Sequence, residues 1–242
     1  MSRDLLLPRK DGSLTRYSPR SAPPRWPRPT APFRSRVAYA AAHVVKDPLG
    51  PDSGPDAIDW EATVAFRRHL WSYGLGVAEA MDTAQRGMGL DYEATKALIT
   101  RACAAAREVD GAIVCGASTD QGPDGAALSL DDIADLYLEQ VEHIEAAGGR
   151  VVVMASRHLA RVAAGPEDYA HVYDRVLARV REPAVIHWLG EMFDPALTGY
   201  WGSRDVGAAM DACLDVIARH ADKVEGIKLS LLDAGHEVTM RA

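Results

Sequence analysis

The chain has 242 residues, 48% hydrophobic and 25% charged, which is enough apolar material for one sizeable core and the composition of an ordinary soluble domain. Its formal net charge of -7 is uneven: residues 1–35 hold eight basic and two acidic residues, leaving 19 basic against 32 acidic in the remainder. So acidic a body excludes nucleic acid and anionic membranes as natural partners, and no run of about 18 apolar residues offers a membrane span.

Residues 1–35 form a first region, an N-terminal extension carrying seven of the 14 prolines. Leu5-Leu6-Leu7 and Leu14-Thr15-Arg16-Tyr17 flank Lys10-Asp11-Gly12-Ser13, and Asp-Gly between short β-like runs predicts a hairpin. A Pro-rich extended lead, Ser18 to Phe33, follows it.

Residues 36–242 form the second region, in which short apolar runs alternate with longer helical ones. Strands are expected at 36–45, 76–81, 111–115, 150–155, 184–188 and 224–232. Helices are expected at 59–73, 91–109, 129–147, 166–180 and 205–221. Asp59 is placed to cap the first helix, and Ser129-Leu130-Asp131-Asp132 reads as a capping box. Cys103, Cys115 and Cys213 are widely spaced in apolar settings with no CxxC, which suits buried thiols in a reducing cytoplasm.

Six β-then-α units with fully apolar strands imply a parallel sheet covered by helices. A doubly wound nucleotide fold is disfavoured, because Ala42-His43-Val44-Val45-Lys46 is no glycine-rich loop. The strand ends are instead polar: His43, Asp82, Ser118, Ser156, His187 and Lys228. That is the pattern of a (β/α)8 TIM barrel, here incomplete with about six units.

Lys228 stands in the middle of the last apolar run, Val224-Glu225-Gly226-Ile227-Lys228-Leu229-Ser230-Leu231-Leu232. An ammonium leaving water must be paired or neutral, and a neutral amine is a nucleophile. Alternation puts Gly226, Lys228 and Ser230 on one face, and Ile227 and Leu229 against a helix layer. The structural alternative is a lysine that snorkels into solvent or meets an acid.

Val224-Glu225-Gly226-Ile227-Lys228 resembles the lysine strand of the dihydrodipicolinate synthase and N-acetylneuraminate lyase family, barrel class I aldolases that form a Schiff base with a 2-oxo acid. The resemblance spans roughly residues 36–232 and suggests an uncharacterised, divergent branch truncated at the C-terminus. It implies that Asp82-Thr83-Ala84-Gln85 stands where that family holds the substrate carboxylate, and that Val185-Ile186-His187-Trp188 stands at its proton-relaying fifth strand. Candidate catalytic residues are therefore Lys228, Trp188 and His187, with Asp82, Thr83, Gln85, Ser118 and Thr119 binding substrate. His187 and Trp188 are adjacent on one strand and must face opposite ways. The family alignment points Trp188 inward, and a register off by one would put His187 there. Tyr200 and Trp201, in the following loop, could close over the site or pack as ordinary core.

The expected activity is a lyase or aldolase acting on a 2-oxo acid such as pyruvate, with no cofactor and no metal. Two other readings are weighed. One is a metal-dependent barrel hydrolase using His43, Asp82, His158 and His187. The other is an inactive partial barrel that only associates with other chains, since an open parallel edge is a pairing surface. Expected partners are the small-molecule substrate and further copies of the chain, with neither nucleic acid nor membrane.

Overall fold

Asp11 Oδ1 accepts the Ser13 N–H at 3.0 Å and Gly12 takes φ 80°, so the chain reverses between two short strands. β1 (Leu5–Pro8) and β2 (Leu14–Tyr17) are antiparallel, with Leu5 opposite Tyr17 and Pro8 opposite Leu14, the hairpin expected from Asp-Gly. The computed structural model describes residues 4–18, 26–30, 33, 36–81, 86, 89–123 and 128–242. Two compact units divide the chain, Met1–Thr30 with the hairpin and Ala31–Ala242 with all that follows.

In the second unit strands and helices alternate: β3 (Tyr39–Ala41), α1 (Trp60–Trp71), β4 (Gly76–Glu79), α2 (Tyr92–Val109), β5 (Ile113–Ala117), α3 (Leu130–Ala146) and β6 (Arg150–Met154). A short α4 (Arg157–Val162) and α5 (Pro166–Leu177) lead to β7 (Ala184–Leu189), α6 (Val206–Arg219), β8 (Val224–Ser230) and α7 (Ala234–Arg241). The six strands pair in parallel and in chain order, β3-β4-β5-β6-β7-β8. A doubly wound sheet reverses its strand order at a switch point, whereas here the order runs straight through without reversal. The sheet is a curled half-barrel, the incomplete TIM-barrel architecture expected.

Helix starts follow local chemistry. Asp59, Asp91, Ser129 and Asp205 each accept an N–H from the first turn of the helix they precede, and Ser129 with Asp132 completes the capping box. One sheet face carries the main core: Val77, Cys115, Val153, Ile186 and Trp188 meet Leu98, Ile133, Tyr137, Val172 and Cys213 from the helices. The other face is thinner, with Val114, Val152 and Met154 buried beside Met81, Ala78 and Val185.

The first barrel strand is much shorter than the ten residues expected. Beyond Ala42 the backbone leaves the sheet, because α1 supplies its partners. Thr63 Oγ1 accepts the Val45 N–H at 3.0 Å, and Arg67 Nη1 donates to the His43 carbonyl at 2.6 Å. Arg67 also makes a bidentate pair with Glu79 of β4, at 2.6 and 2.7 Å, and both side chains are fully buried. These three contacts of the guanidinium hold α1, β4 and the segment after β3 together.

Candidate active site

β7 and β8 run in register with His187 opposite Lys228 and Leu189 opposite Ser230. The strand alternation thus sends His187, Lys228 and Ser230 to one face. Lys228 Nζ lies 2.8 Å from His187 Nε2, and the same nitrogen lies 3.2 Å from Ser230 Oγ. His187 is fully buried, while Lys228 remains accessible on the open face of the half-barrel. A contact of 2.8 Å between an amine and an imidazole nitrogen needs a lone pair on one of them. Either an ammonium donates to neutral imidazole, or an imidazole N–H donates to a neutral amine. The pair can pass one proton between its members without moving either side chain.

Trp188 does not point inward. Its ring packs T-shaped on Trp201 at 6.3 Å, on the helix side of the sheet, and Trp201 in turn stacks among Tyr169, Tyr173 and Tyr200. Five aromatic rings fill that layer, and none can be removed without a large void. The register alternative, with His187 inward, is the one adopted. Tyr200 and Trp201 are buried in this layer and are no lid.

A second grouping lies at the carboxyl ends of β5 and β6. Thr119 Oγ1 contacts Ser156 Oγ at 2.6 Å and His158 Nδ1 at 3.0 Å. Ser156 accepts the Leu159 N–H and caps α4, and its own N–H donates to Tyr200 Oη at 3.0 Å. The aromatic layer therefore fixes the turn that carries His158. Nearby, Arg86 donates to both oxygens of Asp120 at 3.0 and 2.6 Å, to the Gly116 carbonyl and to Gln140 Oε1. Burial is the largest influence on Asp120 and opposes its charge, but the Arg86 guanidinium and the Gln140 amide together outweigh it and hold the carboxyl below the usual range. Gln140 Oε1 also accepts the Ser118 N–H at 2.7 Å.

Arg86, Thr119, Asp120 and His158 border a cleft of about 740 Å³ at the strand ends, lined also by Tyr92, Arg157, Arg161 and Leu197. Of the residues expected to bind substrate, Ser118 and Thr119 line it, whereas Asp82, Thr83 and Gln85 fall outside the described residues. Lys228 and His187 are not in its wall. Met154, the register partner of His187, and Leu189, the partner of Ser230, are, so the cleft begins one strand away from the amine. Arg86 and Gln140 carry no motif, and their role rests on pairings 20 to 54 residues apart. Among the described residues, no three or more His, Cys, Asp or Glu gather where they could hold a metal ion.

The family model described as "Protein of unknown function (DUF993)" matches residues 5–242. No curated protein matches the chain. Among solved structures it resembles dihydrodipicolinate synthase from Oceanobacillus iheyensis, at 14% identity and a TM-score of 0.53 over 85% of this chain and 55% of that one. It also resembles the dihydrodipicolinate synthase of Agrobacterium tumefaciens str. C58, at 16% identity and a TM-score of 0.56 over 83% of this chain and 60% of that one. The chain thus spans 55% to 60% of the length of these structures, and the likeness is one of fold. No helix among the described residues is long and apolar enough to cross a membrane.

Proposed function

The chain belongs to the DUF993 family, and we propose that it acts in the cytoplasm as a Schiff-base-forming lyase or aldolase on a 2-oxo acid such as pyruvate, with Lys228 as the nucleophile. The observation that carries this reading is the 2.8 Å contact between Lys228 Nζ and His187 Nε2 on the open face of a parallel half-barrel. Amine nucleophiles work only when neutral, and a partner that can hold the displaced proton at hydrogen-bond distance meets that need.

In the proposed sequence His187 holds the proton while Nζ attacks the C2 carbonyl of the 2-oxo acid, forming a carbinolamine. His187 returns the proton to the departing hydroxyl, water leaves, and an iminium remains. Loss of a C3 proton to His187 gives the enamine, whose carbon adds to an aldehyde, and hydrolysis frees the product and the amine. Run backwards, the same steps cleave a carbon–carbon bond. Ser230 Oγ, on the same imidazole nitrogen, orients the ring between these transfers. This assigns His187 the proton relay that the resemblance gave to Trp188.

The test is borohydride reduction in the presence of pyruvate and larger 2-oxo acids, read by intact mass and peptide mapping. An adduct on Lys228, absent from Lys228→Ala, is the expected result. Folded protein that gives no adduct, or an adduct elsewhere, would remove the imine mechanism.

A further inference from the structure

Two thiols meet in the core of the second unit, and the proposed reaction uses neither. Cys103, on the buried side of α2, and Cys115, in β5, bring their sulfurs to 3.8 Å, within reach of a thiol hydrogen bond. Both side chains are buried. The cover over them is thin. The turn after α3 passes through Gly148, with φ 83°, and a Cβ added to the next residue, Gly149, would lie 3.0 Å from each of the two sulfurs. Gly148 is exposed and Gly149 half-buried, so on that side only backbone separates the sulfur pair from solvent. The two thiols also differ. A hydrogen bond from the Cys115 S–H lowers the Cys103 thiol against the effect of burial, with help from Arg107, while the same bond and burial raise Cys115 well above the ordinary thiol range.

We propose that Cys103 and Cys115 form a reversible oxidative modification site, at which a small hydroperoxide converts the two thiols into a disulfide joining α2 to β5. The Cys103 sulfur, as thiolate, attacks one peroxide oxygen, the O–O bond breaks, and the departing oxygen takes up the proton that Cys103 released. A sulfenic acid is left on Cys103. The Cys115 sulfur then attacks the Cys103 sulfur and gives up its proton, and the S–O bond breaks as water leaves. In sum the two thiols lose two electrons and two protons, and hydrogen peroxide becomes two molecules of water. Bond formation needs the sulfurs to close from 3.8 Å to about 2.05 Å, within the swing of two side chains. Cys213, raised to about 12 by burial, is paired with neither and stays reduced. The site is distinct from Lys228 and stands whether or not that residue forms an imine.

The experiment exposes the folded, fully reduced chain to hydrogen peroxide at a dose that oxidises free glutathione to completion. It reads free thiols after denaturation, intact mass, and a peptide map made without reductant. Free thiols should fall from three to one, the mass should fall by two hydrogens, and the peptides holding Cys103 and Cys115 should be linked. A phosphine reductant should restore all three thiols, and the circular dichroism spectrum should stay that of the folded chain throughout. Cys213→Ala should form the same bond. Cys115→Ser should stop at a sulfenic acid on Cys103, captured by dimedone, and Cys103→Ser should react with peroxide about tenfold more slowly than the parent, because the lower thiol is the nucleophile. Three results would overturn the proposal: three free thiols persisting on the folded chain, a link that includes Cys213 or joins two chains, or a bond that forms only after the chain has unfolded. Should either serine variant melt early, the linkage map of the parent decides alone.

Discussion

His187 Nε2 stands 2.8 Å from Lys228 Nζ across two hydrogen-bonded parallel strands, one nitrogen buried and the other within reach of solvent. The strands fix the distance and the burial fixes the ring, so the pair forms a preorganised route for one proton.

Lys228→Ala should eliminate turnover and adduct formation while leaving the melting temperature close to that of the parent, since loss of an exposed side chain usually changes stability by within about 0.5 kcal/mol. His187→Gln keeps a polar atom near the amine but cannot carry a proton. It should lower kcat by about 10²- to 10⁴-fold, the usual contribution of a general acid–base group, while borohydride still traps a slowly formed adduct. Rapid steady-state turnover in His187→Gln would take the relay away from this residue.

Trp188 should behave as core. Trp188→Ala is expected to cost about 3–5 kcal/mol in urea unfolding, the range for deleting a buried tryptophan. Trp188→Phe, which retains a ring against Trp201, should cost much less and leave adduct formation at Lys228 unchanged. A folded Trp188→Phe protein that no longer traps pyruvate would return this residue to the site.

The Arg67–Glu79 pair is fully buried and bidentate, so removing one partner strands the other's charge in the core. Glu79→Ala or Arg67→Ala should each lose about 3–5 kcal/mol. The double change Arg67→Met with Glu79→Leu should lose far less than the two single losses added together, because no isolated charge is left behind. Additive losses in denaturant melts would contradict this account.

Alkaline pH should destabilise the fold before any mild acid does. Burial pushes the Cys213 thiol up to about 12, against about 8.5 for an unfolded cysteine. Between those values the unfolded chain has released a proton that the folded chain retains, so stability is full below the lower value and falls as pH rises through the window. The slope from this one group is at most about 1.4 kcal/mol per pH unit. Burial raises Tyr137, Tyr173 and Tyr200 as well, which adds to the loss above about pH 10, where unfolded tyrosines ionise. Melting temperatures recorded from pH 7 to 11 should fall with rising slope, and Cys213→Ala should flatten the curve between pH 8.5 and 10. Asp120 acts at the opposite end: its lowered value contributes stability above about pH 4 that is lost as acid protonates it.

Much of this architecture follows from local pattern. Apolar runs of strand length separated by amphipathic helices specify parallel βα units, and Asp59, Asp91, Ser129 and Asp205 mark helix starts because a short polar side chain there binds the free N–H groups of the first turn. The lysine in the last strand, and its sharing of a face with Gly226 and Ser230, follow from alternation alone. Alternation also dictates that His187 and Trp188 oppose each other, but it carries no information about which is inside. That was decided by tertiary packing: the aromatic layer of Tyr169, Tyr173, Tyr200 and Trp201 takes an indole ring edge-on, while β8 presents a polar amine and hydroxyl to the other face. The buried ion pair of Arg67 with Glu79, the clamp of Arg86 on Asp120 and Gln140, and the thread from Thr119 to His158 likewise join residues far apart in the chain. Each is an energetic choice made only when those elements meet, since a polar group's partner depends on what folding brings within 3 Å of it and not on its neighbours in sequence.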